Sequence, residues 1–174
     1  MRKYIWLIII GVIVAVGLTG YFVVEAKDQP GSFERVSHTN AKAALFDKYN
    51  DVYIGSKIVW DGDSKPLIRH IEIIKDDGTP LSQENEAIHV ELYIDESNET
   101  NVLYGYNPQM RQIVGDYHRV NNYELKQPIF TLVLKVSLLQ SNYQFDLKEL
   151  HITYEENGME KEQTLPLRNF VFHH

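Results

Sequence analysis

The sequence predicts a mainly β protein, an antiparallel β-sandwich preceded by one N-terminal transmembrane helix. Three observations predict it. Apolar and polar residues alternate along several segments beyond residue 50, an Asn157-Gly158 pair separates two of those segments, and no charge interrupts Ile5 to Val24. Alternation at period two gives a strand one apolar face, which a second layer must cover. Asn-Gly readily adopts the mirror-image turn that a two-residue hairpin needs.

The apolar run comes first. Twenty helical residues reach about 30 Å, the thickness of a bilayer's hydrocarbon core. Tyr4 and Trp6 at one end and Tyr21 at the other suit the two interfaces, and Arg2 and Lys3 before the run place the N-terminus in the cytoplasm. A cleaved signal peptide is the competing reading, but its apolar region is usually shorter and no Ala-x-Ala precedes Glu25. Gly11, Ala15 and Thr19 form a small-residue stripe through which two copies could pair, so a homo-oligomer stays open. The expected layout is a cytoplasmic tip and anchor over 1–26, a juxtamembrane linker over 27–36 and an extracytoplasmic domain over 37–174.

Within that domain, Ala41 to Tyr49 behind a Thr39 or Asn40 cap reads as a short helix. Val52 to Trp60 and Leu67 to Ile74 read as strands ending in acidic turns, and Ile88, Val90, Leu92 and Ile94 face one way while His89, Glu91 and Tyr93 face the other. Val102 to Tyr106 is a weaker strand, and Pro108 to Val114 a short helix ended by Gly115. Ile129 to Leu139 is apolar on both faces, as a central strand is, with Leu134 inward and Thr131 on the opposite face. Leu150, Ile152 and Tyr154 begin the hairpin that returns along Glu160 to Leu167, and Arg168 to His174 supply a last short strand. About seven strands and two minor helices are compatible with an immunoglobulin-like topology, although the paired cysteines of antibody-type domains are missing.

Charge and composition exclude several functions. The chain has 174 residues and net charge -7, and residues 25–174 hold fifteen basic against twenty-four acidic side chains, the wrong sign for a nucleic-acid binder. Without cysteine there is no disulfide, thiolate metal site or thiol nucleophile, and export without cysteine suits a bacterial cell envelope. Asp61, Asp63 and Glu72 imitate the spacing of a calcium loop, but Lys65 and Pro66 stand where a ligand and a glycine belong. The seven histidines lack zinc-site spacing, with His89 and His151 able to meet only if their strands are neighbours. No metal and no cofactor is therefore expected. No nucleophile motif occurs, and the carboxylate pairs Glu84 with Glu86 and Glu155 with Glu156 sit beside turns, where solvent would deny them the raised pKa of a glycosidase acid. Asn98-Glu99-Thr100 matches a glycosylation sequon.

Eleven tyrosines remain to be explained, and five of them crowd residues 104–143. The stretch 101–123 is the longest without firm periodicity, and loops on a rigid scaffold often carry recognition. Its expected binding residues are Tyr104, Tyr106, Tyr117, Arg119 and Tyr123, because aromatic and arginine side chains dominate interface energies. The expected function is a non-enzymatic, membrane-anchored interaction module of the bacterial envelope, its partners the lipid bilayer and an envelope protein or cell-wall component. The alternatives are a small glycan hydrolase and an accessory subunit acting through its anchor.

Overall fold

In the computed structural model, residues 30–37, 40–105, 108–141, 143–167 and 171–172 are described; the apolar run expected to be an anchor, Thr39 and Tyr106 lie outside them. Twelve strands occur among these residues: β1 (Phe33–Arg35), β2 (Ala41–Lys42), β3 (Val52–Trp60), β4 (Leu67–Lys75), β5 (Ile88–Asp95), β6 (Val102–Tyr104), β7 (His118–Arg119), β8 (Tyr123–Glu124), β9 (Ile129–Leu138), β10 (Leu147–Glu156), β11 (Met159–Pro166) and β12 (Val171–Phe172). One α-helix, α1 (Pro108–Gly115), joins β6 to β7. The protein is thus mainly β, as the alternation predicts.

One sheet runs β1-β3-β9-β5-β7 with β6 also on β3, and the other runs β11-β10-β4-β8. All their pairings are antiparallel; only the small β12-β2 pair is parallel. The central-strand expectation holds for β9, which lies between β3 and β5 and puts Phe130, Leu132, Leu134 and Val136 at 2% exposure or less. Ile54 and Ile58 from the first sheet and Ile68, Leu150 and Ile152 from the second join the same apolar cluster. At the hairpin tip, Asn157 (φ 54°) and Gly158 (φ 76°) both take the left-handed conformation of the mirror-image turn.

One local expectation is corrected. Ala41 to Tyr49 is not a helix: Ala41 and Lys42 pair with β12, and only Ala43–Leu45 coils, as a single 3-10 turn. A sheet partner for Ala41, which is 1% exposed, outweighs the helix propensity of its neighbours. Thr131 lies on the face of β9 opposite Leu134, and that face is covered as well. It is 2% exposed, and its hydroxyl donates to Asn98 Oδ1 at 3.0 Å.

That burial comes from the start of the segment that links β5 to β9, where Asn98 reaches Thr131. Gly55 on β3 makes the approach possible: its N–H donates to Asn101 O at 2.7 Å, and a Cβ there would stand 2.2 Å from Thr100 O. After β6 and α1 the chain reaches β5, where β7 pairs with Tyr93 and Ile94, and then β8 pairs with Leu67 and Ile68 of the other sheet. The segment therefore bonds to both sheets.

Candidate functional site

Four of the residues expected to form one binding surface, Tyr104, Tyr117, Arg119 and Tyr123, are described, and this path distributes them over the domain. Tyr104 is 44% exposed on β6, with its ring 4.9 Å from that of Tyr49. Arg119 is exposed on β7, opposite Tyr93. From β6 across β3, β9 and β5 to β7 there are four strand spacings, or about 19 Å. Tyr117 lies half-buried between them, its ring 6.1 Å from Tyr53 and 5.9 Å from Tyr93. Burial pushes its hydroxyl up to about 12, against a smaller opposing effect from its hydrogen bond with Thr100 at 2.6 Å. Tyr123 is 8% exposed and donates to Glu96, so most of its ring belongs to the core.

Asp95 fixes the start of the segment. It is 2% exposed and accepts hydrogen bonds from the backbone and hydroxyl groups of both Ser97 and Thr100, at 2.6 to 2.9 Å. Burial alone would raise its pKa; these donors outweigh burial and hold it below the usual carboxylate range. The same packing occupies the glycosylation sequon. Asn98 Nδ2 donates to Glu96 O at 3.2 Å and Thr100 is 6% exposed, so a glycan could attach only after the turn had opened.

Beside Arg119 the side of the domain opens into a cleft of about 490 Å³ between the edges of β4 and β5. Its base is apolar: Ile71, Ile73, Val90 and Val120 line it, each at 4 to 6% exposure. Polar side chains form the rim, His70 and Glu72 from β4, His89 and Glu91 from β5, Arg119 and Asn121 from the return segment. His70 Nδ1 stands 3.1 Å from Asn121 Oδ1, and Nε2 stands 3.4 Å from Glu72. Glu91 accepts from Lys135 Nζ at 2.7 Å and from Tyr93 at 2.6 Å, and these bonds hold it below the usual carboxylate range.

Among the described residues, two backbone positions along the cleft lack a strand partner on one side. Asn122 N–H donates to Arg69 O, and Leu81 N–H to Ile73 O, both on the β4 edge away from β10. Alternation then directs the N–H and C=O of Ile71, midway between them, to that edge. On β5, Ala87 O accepts from Leu139 and Gln140 beside β9, whereas Ile88 N–H turns the other way and donates to Asn85 Oδ1 at 3.0 Å. Val90 shares the direction of Ile88, so its N–H and C=O also face the cleft.

Sequence reasoning singled out Arg119 but did not group it with the other rim residues, which come from three segments. The alternation along β5 was the available signal, since it put His89, Glu91 and Tyr93 on one polar face. His89 and His151 do not meet, because β5 and β10 belong to different sheets. Among the described residues no group of three or more His, Asp or Glu side chains is placed to hold a metal, and no helix is long and apolar enough to cross a membrane. Glu155 pairs with Arg69. Glu156, expected in solvent, is 2% exposed and accepts from Lys161, Ser64 and Gly31 N–H. No family model, curated protein or solved structure matches this chain.

Proposed function

We propose that this protein is a membrane-anchored, extracytoplasmic recognition module of a bacterial cell envelope, and that it binds an envelope partner at the cleft between β4 and β5. The observation that carries the proposal is the cleft itself, an apolar base inside a polar rim with Arg119 at one end. A volume of this order is typical of binding sites in which a few polar groups set orientation. The anchor rests on the uncharged run Ile5 to Val24 and the basic pair before it.

The scaffold is read as an immunoglobulin-like β-sandwich. Letter the framework strands β1, β3, β4, β5, β9, β10 and β11 as A to G. The orders β1-β3-β9-β5 and β11-β10-β4 then become A-B-E-D and G-F-C, the constant-type arrangement. No disulfide joins strands B and F; Trp60 on β3 and Tyr154 on β10 meet there instead, with ring centroids 5.4 Å apart.

A hydrolase is disfavoured by the state of the cleft carboxylates. A glycosidase acid needs a raised pKa, whereas Glu91 is held down by Lys135 and Tyr93, and the Glu72 side chain is 46% exposed. Photo-cross-linking in intact cells tests the recognition role. Probes at Arg119 and Asn121 should capture one partner that probes at Glu160 and Glu162 do not. Equal capture at both places, or at neither, would remove the cleft as the contact site. A reporter active only outside the cytoplasm, fused after His174, should be active and membrane-bound, and a soluble product would remove the anchor.

A further inference from the structure

We propose that the cleft takes an extended peptide, which adds as a strand to the open edge of β5 and continues the row that β7 begins. The inference rests on the recognition role proposed above and names the class of partner. β7 pairs with Tyr93 and Ile94, but among the described residues no strand lies along that edge from Ile88 to Leu92. These five residues span about 17 Å, enough for four or five residues of a second chain. Val90 N–H and C=O point into the vacant row, and Asn85 closes its far end by accepting from Ile88 N–H. The edge thus has a beginning, an end and unpaired backbone groups between them, which is what strand addition uses.

The walls also state which side chains fit. An added strand turns alternate residues inward, onto Val90, Ile71 and Val120, and these should be apolar. The residues between them face outward with His89 and Glu91, where Lys135 already neutralises the acid. Arg119 is exposed and has no ion pair among the described residues, so an acidic residue belongs at the end of the peptide beside β7. A sugar or another small polar ligand would leave the backbone row unused.

The test selects a displayed library of random dodecapeptides against the full chain in lipid nanodiscs, with empty nanodiscs as counter-selection. Enriched peptides should alternate apolar and polar residues over four or five positions and carry an acid at one end. In synthetic copies, N-methylation at alternate backbone positions should weaken binding tenfold or more, with the intervening positions indifferent. Asn121→Trp, which fills the rim, should abolish binding without shifting thermal unfolding, and Arg119→Glu should change the preferred end residue from acidic to basic. Failure to enrich peptides, indifference to every N-methyl group, or binding that survives Asn121→Trp would overturn the proposal. So would a cross-linked species of twice the chain's mass from the Arg119 probe, which would make the occupant a second copy. If that probe captures a different protein while the library yields nothing, recognition stands and strand addition falls.

Discussion

The two sheets approach each other along two sides, and the sides are closed differently. Where β1 meets β11, one side chain replaces a missing strand: Gln163 accepts from Phe33 N–H and donates to Phe33 O, both at 2.7 Å. Glu156 and the Tyr154 hydroxyl bind the two backbone groups of Gly31, and the Phe33 ring packs on Trp60, Phe130 and Tyr154. On the other side, the β7–β8 turn and the Pro80–Leu81 segment close only the two ends, leaving the cleft between them. The difference shows what closing the side of such a fold requires: a polar group aimed at each exposed backbone pair, with a large ring filling the space behind. The first side has both. The second has an apolar base but, among the described residues, no side chain supplied to Val90 or Ile71, and the proposed binding site rests on that combination.

If the closed side is structural, the largest loss should come from its ring. Phe33→Ala removes a side chain at 1% exposure and should lower unfolding free energy by about 3 to 5 kcal/mol in denaturant titration. A loss below about 1 kcal/mol would mean that β1 is not needed to hold the sheets together. Gln163→Leu keeps the volume but leaves both backbone groups of Phe33 unpaired, and should cost about 1 to 3 kcal/mol.

The same side contains one group that works against it. Among the described residues, Arg35 Nε and Nη2 are buried without a hydrogen-bond partner in an otherwise half-buried side chain, and burial lowers the guanidinium's pKa. Since buried donors without acceptors are destabilising, Arg35→Met should raise stability, by about 1 kcal/mol. A decrease would show that the charge has a stabilising role. Acid should act more gradually. Burial would raise the Glu156 pKa, but Lys161, Ser64 and Gly31 N–H together hold it below its ordinary value. The stabilisation is therefore complete above the unfolded value near about 4.3 and is lost as pH falls towards the folded one. Thermal unfolding from pH 7 down to pH 3 should show a steeper acid decline in the native protein than in Glu156→Gln; equal slopes would remove Glu156 from the linkage.

How much of this was legible depends on the range of the interactions. Alternation along β5, β9 and β10 and the Asn157-Gly158 turn act within one strand or hairpin, and each could be read from neighbouring residues. The burial of Thr131 could not, because Asn98 and Thr100 reach it from another segment. Nor could the strand role of Ala41, whose partner lies about 130 residues further along. In 101–123 the tyrosines looked alike in sequence, yet Tyr123 is in the core, Tyr117 bridges Tyr53 and Tyr93, and Tyr104 remains at an edge. Only the path of the chain separates them. Arg119 was identified by type and His70 with Glu72 was not, since nothing local announces that two strand edges face the same cleft.

The smallest expected effect makes the comparison sharpest. Arg119→Ala removes an exposed cation that has no ion pair among the described residues, so its effect on unfolding free energy should stay within about 0.5 kcal/mol. Its effect on partner capture should be large, because arginine at the wall of a desolvating cleft is among the costliest residues to truncate. The two readouts together distinguish the sides: Phe33→Ala should lower stability first and capture only through unfolding, whereas Arg119→Ala should lower capture with the fold intact. Were Arg119→Ala to destabilise by about 2 kcal/mol, the return segment would prove to be held by that side chain, and the cleft would be an incidental gap beside a structural strap. Unchanged stability with unchanged capture would leave the exposed Tyr104 edge as the next surface to probe.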